Sequence, residues 1–468
     1  MMHSHQAGRS ACVEFRQSAR INRRSVLTAG FGGLLGLGLS QWAPSLAHAN
    51  TAASHFGKAK RCIFLFMWGG PSQLDTFDLK PGAPDTVRGP FKPIATKVPG
   101  LQICEHFQQL PSIMDKVAVI RSLTHDDPAH LSSGHVAVTG QLAPVLKSDK
   151  DPPSSKDSPH LGSLMSRLAP APEALPSFVM LPWKAYHPAA PGGQAPGQHG
   201  GWLGPTFDPM LVTGDPNEAN WKAPALQLQD GVTPQLLENR YALLKELDTQ
   251  RAALDQAAAA ARMNQQQAKA VSLLSSPQVR KAFDLSQETD AMRERYGRNI
   301  HGQSVLLARR LAEHGVPVIN VNWHNDGQNF WDTHTNNFER LKKDLIPPAD
   351  KALVALLTDL EERGMLEDTI VAWVGEFGRR PEISNGTGRE HWPYCYSGLL
   401  AGGGIAGGAV YGGSDAHAAY PAFNAVTPQD YIATMLHALG VPHDQILHEA
   451  NGRPRSIYGG KPIEALFT

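Results

Sequence analysis

The last third of the chain alternates helix-like and strand-like segments, and this alternation restricts the fold more than any other feature. "GQSVLLARRLAEHG" (302–315) and "PADKALVALLTDLEERG" (348–364) have the apolar spacing of helices, and each ends at a glycine. "VPVINVNW" (316–323) and "TIVAWVG" (369–375) are short apolar runs typical of strands buried on both faces. Helices alternating with such strands predict an α/β fold, a mostly parallel sheet with helices on both faces.

Two further strands are predicted earlier in the chain, before a long segment with little periodicity. "RCIFLFMW" (61–68) and "KVAVIRS" (116–122) are apolar runs of strand length. From about 141 to 230 the chain is rich in Pro, Gly and Ser, and a helix is predicted to begin at Thr233 and Pro234. We therefore expect a single α/β domain over 50–468, with a Pro/Gly-rich and helical insert at about 141–300.

The N-terminal segment has the features of an export signal. "NRRSVLTAGFGGLLGLGLSQWAPSLAHAN" (22–50) contains the pair Arg23 and Arg24, then a weakly apolar run, then a small-x-small cleavage site at 47–49. This pattern predicts a twin-arginine signal peptide over 1–49, with the twin-arginine translocase as a partner and a periplasmic or secreted mature protein. The alternative is an uncleaved anchor, but the run is short and Gly-rich, so we expect no stable membrane span after cleavage.

Charge and cysteine usage exclude several classes of protein. The formal net charge is +0 and no long run of one sign occurs, so nucleic acid is not an expected partner. A small phosphorylated or sulfated substrate needs only local positive charge and stays open. After the signal, Cys62, Cys104 and Cys395 remain, widely spaced and without a CxxC, so neither a disulfide framework nor a zinc knuckle is expected.

Four polar clusters follow predicted strands, and ligands of such sheets bind beyond the carboxyl ends of the strands. The clusters are "GGPSQLDTFD" (69–78), "RSLTHDDPAHLSSGHVAVTG" (121–140), "NWHNDGQNFWDTHTNN" (322–337) and "GEFGRRPEISNGTGREHWP" (375–393). Three of them have a specific structural interpretation as well: a turn capped by Asp75, a core histidine at His135, and an ion pair between Arg379 and Glu382. Four such clusters at one sheet edge favour a functional site over four independent structural roles.

The third cluster offers ligands for a metal ion, although its spacing matches no small zinc motif. Asp332 and His334 lie two residues apart, and His324 and Asp326 precede them. Imidazole and carboxylate groups suit zinc or manganese better than calcium, which prefers oxygen ligands alone.

These clusters, in this order behind a twin-arginine signal, resemble the exported bacterial family called domain of unknown function 1501 (DUF1501). That family is similar to the alkaline phosphatase and sulfatase superfamily, so the resemblance implies an alkaline phosphatase-like fold with a metal site at the carboxyl edge of the sheet. The stretches that carry the resemblance are "GGPSQLDTFDLKP", "RSLTHDDPAH", "AFDLSQE", "RYGRNIHGQSVLLARRL", "WDTHTNNF", "EFGRRP", "GREHWP" and "GGSDAH".

The resemblance also implies roles for individual residues. The metal ligands that it implies are Asp75, Asp332, His334, Glu376 and His391. Sulfatases place a nucleophilic cysteine or serine ten residues before the glycine of a Thr-Gly pair, and here that interval runs from His130 to Gly140. Where the superfamily has an Asp-His pair after a strand, this chain has Glu376 and Phe377.

Two functions remain after these comparisons of residues. The first is a metal-dependent hydrolase of a small-molecule or glycan phosphate or sulfate ester, with His130 as nucleophile, general acid/base or ligand, and with Arg121 or Arg379 neutralising substrate oxygens. Ser132 and Ser133 are alternative nucleophiles if the turn at 130–140 is remodelled. The second is a non-catalytic secreted binding protein, which Phe377 and His130 favour. A standard sulfatase is not expected, because His130 cannot be converted to formylglycine.

Overall fold

A central mixed sheet organises the chain, and its strands follow the apolar runs of the sequence. The computed structural model describes residues 55–172, 175–252, 258–324, 330–449 and 451–467. Within these residues the sheet has eight strands: β1 (Arg61–Phe66), β2 (Val117–Leu123), β3 (Phe178–Leu181), β4 (Met210–Leu211), β5 (Val318–Asn322), β6 (Thr369–Val374), β7 (Tyr396–Ala401) and β8 (Val410–Tyr411).

The sheet is mostly parallel, as the alternation of helices and strands predicted. Its strand order is β8-β2-β7-β6-β1-β5-β3-β4. Strand β1 pairs in parallel with both β5 and β6, so these three buried strands lie side by side at the centre. Among the described strands of this sheet, β7 alone runs antiparallel to its neighbours. The carboxyl ends of β1, β5 and β6 therefore meet at one edge.

Helices cover both faces of the sheet. The described α-helices of seven residues or more are α1 (His130–Thr139), α2 (Leu161–Leu168), α3 (Pro234–Ala252), α4 (Ala258–Ser275), α5 (Pro277–Phe283), α6 (Asp290–Tyr296), α7 (Ile300–Glu313), α8 (Ile346–Glu362) and α9 (Pro428–Ala438). Successive side chains of β1 enter opposite cores: Ile63 and Leu65 pack with α7 and α8, whereas Phe64 and Phe66 pack with α1, α2 and α9. This confirms the predicted layers.

Within the described residues, four short pairs of antiparallel strands lie outside the central sheet, and one of them positions the site described below. They are Pro93–Ala95 with Gln102–Cys104, Gly378–Arg379 with His391–Trp392, Gly413–Ser414 with Pro421–Phe423, and Ile446–His448 with Pro454–Ser456. Two four-residue helices, Asp85–Arg88 and Asn337–Arg340, lie in connections.

The segment 130–140 differs from its prediction. Its sequence suggests a turn, but it forms helix α1, which ends at Gly140 with a φ of 66°. Every residue of α1 is buried. A helix that is buried on all sides needs no apolar stripe facing a polar one. Its sequence, which includes serines and histidines, therefore lacks the periodic pattern by which a helix is predicted.

The predicted signal peptide, including Arg23 and Arg24, lies outside the described residues. No helix within the described ranges is both long enough and apolar enough to cross a membrane. Residues from His55 onward belong to one compact unit of the chain.

Candidate metal centre

Histidine and carboxylate side chains from three chain segments converge beyond the carboxyl ends of the central strands. His130 is the first residue of α1, which follows β2, and Asp332 follows β5. His391 lies in the two-residue strand that pairs with Gly378–Arg379, just beyond β6. The ligand-type atoms of these three residues all lie within 4.8 Å of one another. The sequence-predicted sites in three of the four clusters are therefore brought together.

The carboxylate of Asp332 is the centre of this group. Its Oδ1 atom lies 3.0 Å from Nε2 of His334 and 3.1 Å from Nε2 of His391. Its Oδ2 atom lies 3.4 Å from Nε2 of His130. The Nε2 atoms of His334 and His391 are themselves 2.9 Å apart. Three imidazoles thus direct the same ring nitrogen at one carboxylate.

The second nitrogen of each ring is held by a protein oxygen. Nδ1 of His130 lies 2.6 Å from Oε1 of Glu376, and Nδ1 of His334 lies 2.5 Å from Oε2 of Glu390. Nδ1 of His391 lies 2.8 Å from the carbonyl oxygen of Pro128. Because carboxylate and carbonyl oxygens only accept, each Nδ1 carries the proton, and in the neutral ring each Nε2 keeps its lone pair.

The donor set fits a divalent metal ion. Lone pairs of two imidazoles and a carboxylate oxygen that face one another at 2.9 to 3.1 Å repel unless a cation or protons lie among them. A tetrahedral ion with bonds of about 2.0–2.1 Å separates its ligand atoms by roughly 3.3 Å. Metal-bound histidines typically donate their other N–H to a carboxylate or a backbone carbonyl, as all three histidines do here.

Charge within the group shifts the titration of its members in opposite directions. Burial lowers the pKa of His130, but hydrogen bonds and charges from Asp332 and Glu376 outweigh it and raise that pKa to about 9. Burial raises the pKa of Asp332, but Arg379 and the three histidines hold it far below its ordinary value. Burial is the largest influence on His391 and lowers its pKa to about 4. These shifts favour an ionised Asp332 carboxylate that faces positively charged side chains.

A family model places the chain among its relatives. Residues 59–467 match the model described as "Protein of unknown function (DUF1501)". The chain belongs to the DUF1501 family. No curated protein sequence matches this DUF1501 protein.

Several solved structures are similar to the chain, each with low sequence identity and a low TM-score. A PsFucS1 sulfatase from Pseudoalteromonas sp. is similar over 90% of this chain and 74% of that chain, with 13% identity and a TM-score of 0.38. The lipoteichoic acid synthase LtaP from Listeria monocytogenes is similar over 88% and 77%, with 8% identity and a TM-score of 0.36. Ps i-CgsB in complex with k-i-k-neocarrahexaose covers 82% and 72%, with 11% identity and a TM-score of 0.38. Likenesses this distant carry no functional argument.

Glu376 of the DUF1501 protein lies behind His130 rather than among the converging atoms. Its Oε1 accepts from Nδ1 of His130 and from the backbone N–H of Gly69 at 2.9 Å. Its Oε2 is buried and has no hydrogen-bond partner among the described residues. The sequence predicted Glu376 as a metal ligand. The structure places its Oε1 against Nδ1 of His130, which is itself a candidate ligand.

The guanidinium of Arg379 makes several contacts within the protein. It is fully buried and donates to Oδ1 of Asp332 at 2.6 Å. It also donates to the backbone carbonyls of Gly69, Gly70 and Trp331. The role predicted for Arg379, neutralising substrate oxygens, has no support in these contacts. Its position suits a second role, which is to fix the Asp332 carboxylate.

Asp75 is not brought to the converging group. Both its oxygens accept from the guanidinium of Arg389, at 2.7 and 3.1 Å, and both side chains of this pair are fully buried. Oδ2 also accepts from Asn337 and from the Ser72 hydroxyl. A carboxylate so fully engaged is explained by this ion pair. These contacts therefore do not support the predicted role of Asp75 as a metal ligand.

Arg121 and the two serines of α1 also make contacts away from the converging group. Nη2 of Arg121 donates to the carbonyl of Gln102, and its Nε lies 3.9 Å from Asp78. The Ser133 hydroxyl donates to the Ala129 carbonyl, and the Ser132 hydroxyl accepts from the backbone of Ser148. Neither serine is thus presented as a nucleophile, and no contact links Arg121 to His130, Asp332 or His391.

Aromatic rings enclose His130. The rings of Phe377 and Trp68 lie 4.9 and 5.3 Å from the His130 ring, and Phe377 also lies 4.4 Å from His391. Phe377 replaces the histidine that the superfamily pattern would place here, so the structure gives it a packing role beside two candidate ligands. Glu390 was not predicted, although its position next to His391 is a signal that sequence reasoning could have used.

Proposed function

We propose that this DUF1501 protein is an exported, metal-dependent hydrolase of a phosphate or sulfate ester. The convergence of three Nε2 atoms on Asp332, with each Nδ1 held by a protein oxygen, carries the proposal. Burying charged groups and fixing their side chains is unfavourable for folding. A bound metal ion would explain why these side chains are nevertheless held in this arrangement.

The residues proposed to hold the ion are His130, Asp332, His334 and His391. Nitrogen ligands in this number favour zinc or manganese over calcium, which takes six to eight oxygens. When bound, such an ion supplies a water of lowered pKa and polarises an oxygen of the ester.

The chain's own residues are proposed to position rather than to attack. Glu376 holds the Nδ1 proton of His130, and Glu390 holds that of His334, so both rings keep their Nε2 atoms directed inward. Arg379 fixes Oδ1 of Asp332. Because the hydroxyls of Ser132 and Ser133 bond to backbone groups, water is the proposed nucleophile. Its addition cleaves the ester and releases an alcohol and the inorganic anion.

Export by the twin-arginine translocase, to the periplasm or beyond, is part of the same proposal. It is supported by the arginine pair and the cleavage pattern of residues 22–50. Twin-arginine export carries folded proteins, which suits a protein that loads its metal before it crosses.

Hydrolysis of an aryl phosphate and aryl sulfate panel tests the proposed activity. We expect turnover that a chelator abolishes and that added zinc or manganese restores. We also expect His391→Ala to lose turnover by several orders of magnitude, while the exposed His443→Ala retains it. A metal-loaded, folded protein without turnover on any phosphate or sulfate ester would contradict the proposal and favour a binding protein.

A further inference from the structure

Three aromatic side chains form an exposed cluster next to the candidate metal centre. The ring of Trp392 lies 4.9 Å from that of Tyr394 and 5.7 Å from that of Tyr420, and the two tyrosine rings are 5.7 Å apart. Tyr394 is 37% exposed and Tyr420 is 51% exposed. We call Trp392, Tyr394 and Tyr420 the aromatic platform. Large aromatic groups in mutual contact that remain in water often mark a binding surface.

The platform is attached rigidly to the candidate metal centre. Trp392 follows His391 directly, and the two residues pair with Gly378–Arg379. The indole N–H of Trp392 donates to the carbonyl of Ala419 at 2.6 Å. The position of the rings is therefore fixed relative to a candidate ligand, as a binding subsite requires.

The loop that presents Tyr420 is also fixed. The carboxylate of Asp415 accepts from the backbone N–H groups of His417, Ala419 and Tyr420. The side chain of Gln73 joins this loop to the centre, because it donates to the carbonyls of Ala418 and Arg379 and accepts from the N–H of Arg379. The sequence motif "GGSDAH" (412–417) thus has a structural role that the proposed reaction does not itself use.

The platform lies close to the candidate metal centre along the chain. Tyr394 is three residues from His391, so their Cα atoms are at most about 11 Å apart. The hydroxyls of Tyr394 and Tyr420 make no hydrogen bond with any part of the chain that the structure describes. They are therefore available to a ligand that carries hydroxyl groups of its own.

The surroundings of the platform favour a carbohydrate over a protein. A specific protein interface buries about 800 Å² on each partner, far more than three partly exposed rings offer. A sugar ring has an apolar C–H face of the size of one aromatic ring and an edge of hydroxyl groups. Aromatic faces with free hydroxyls match both features, since each ring offers an apolar body and a polar tip.

We propose that the aromatic platform binds a sugar ring of the substrate by stacking, so that the ester cleaved at the candidate metal centre belongs to a glycan. This inference rests on the proposed function for the cleaved bond, but sugar binding at the platform can be measured without turnover.

Saturation-transfer NMR and calorimetry with defined probes test the inference. The probes are a panel of sulfated and phosphorylated mono- and disaccharides, with inorganic sulfate and phenyl sulfate as ligands that lack a sugar. We expect Tyr394→Ala with Tyr420→Ala to weaken saccharide binding about tenfold or more, and to leave metal content and binding of inorganic sulfate unchanged. Tyr394→Phe with Tyr420→Phe keeps the rings and should retain most of the affinity. Phe56→Ala removes a ring of comparable exposure, 41%, that contacts His437 instead, and should change nothing.

Two outcomes would overturn the inference: no saccharide of the panel binds the wild type, or the double alanine variant binds saccharides as the wild type does. These results are distinct from failure of the proposed function. If saccharides bind through the platform but no ester is cleaved, sugar binding at the platform stands and the hydrolase proposal fails. If aryl esters are cleaved but saccharide binding does not depend on the platform, the hydrolase proposal stands and the inference about sugar binding fails.

Discussion

Oε1 of Glu376 lies 2.6 Å from Nδ1 of His130, and this contact turns a helix-initial histidine toward Asp332. Glu376 is fully buried behind the ring, and Gly69 N–H shares the same oxygen. The pair is therefore a carboxylate–histidine arrangement in which the carboxylate orients a candidate ligand.

Removal of this carboxylate should weaken metal binding without abolishing the fold. We expect Glu376→Ala to lower metal affinity about 10- to 100-fold, because the His130 ring loses the partner that fixes its tautomer. Glu376→Gln should have a smaller effect, since its amide oxygen can still accept from Nδ1. Competition with a chromophoric chelator measures the affinity. The exposed Glu382→Gln is the matched control, and equal affinity in all variants would contradict the orienting role.

The buried ion pair between Asp75 and Arg389 should affect stability and not metal content. Asp75→Asn leaves the Arg389 guanidinium buried without a counter-charge, which costs about 3–5 kcal/mol. Chemical denaturation measures the loss, and elemental analysis should find metal at the wild-type level. The exposed Asp85→Asn, which breaks a surface pair with Arg88, should cost less than about 1 kcal/mol. Loss of metal from Asp75→Asn would instead restore the ligand role that the sequence suggested.

His135 should make the protein less stable in acid. Its Nδ1 lies 3.2 Å from the Gln141 carbonyl, and its Nε2 accepts from the backbone N–H of Ser158 at 3.1 Å. The folded protein therefore holds this ring neutral, and burial lowers its pKa from 6.5 to about 4. The unfolded chain binds a proton below about pH 6.5 that the folded chain refuses, so this contribution is fully present above that pH and is lost as the pH falls.

A substitution at His135 isolates this effect. Between about pH 7 and pH 4 we expect the wild type to lose about 3 kcal/mol through this residue. His135→Gln should be less stable near neutral pH but should show a correspondingly shallower loss in acid. Denaturant melts across the pH series measure both slopes, and parallel slopes would show that His135 does not resist protonation.

Export should depend on the arginine pair. Arg23→Lys with Arg24→Lys should leave unprocessed precursor in the cytoplasm, because twin-arginine recognition depends on both guanidinium groups. Arg16→Lys with Arg20→Lys keeps that pair and should be exported normally. Fractionation followed by immunoblotting distinguishes precursor from processed protein, and periplasmic accumulation of the first double variant would contradict the assignment.

Long apolar runs allowed the central sheet to be predicted from the sequence. β1, β5 and β6 lie within apolar runs typical of strands covered on both faces, and β2 extends one residue beyond its run, to Leu123. β7 was missed, because "YSGLLA" begins with polar residues, contains Gly398 and leads into a glycine-rich turn. Helix α1 was missed, because a helix buried on every side has no polar face to set a period.

Placement after a strand predicted which clusters meet, but not which side chains face one another. His130, Asp332, His334 and His391 were all named from the sequence and do lie together. Arg121 shares a cluster with His130, and Asp75 lies in the remaining cluster, yet Arg121 contacts Asp78 and Gln102, and Asp75 pairs with Arg389. Residue spacing cannot distinguish a carboxylate that faces a metal from one that faces a buried arginine, since both follow a strand.

Metal stoichiometry of the purified protein is the most direct test of the proposed centre. We predict that the wild type, expressed with zinc and manganese supplied, retains a stoichiometric divalent ion through dialysis. His130→Ala and His391→Ala should fold, as judged by circular dichroism, but lose that ion, while the exposed His443→Ala keeps it. A wild type without a stoichiometric divalent ion, or a His391→Ala variant that retains the full amount, would contradict a metal centre built on His130, Asp332, His334 and His391.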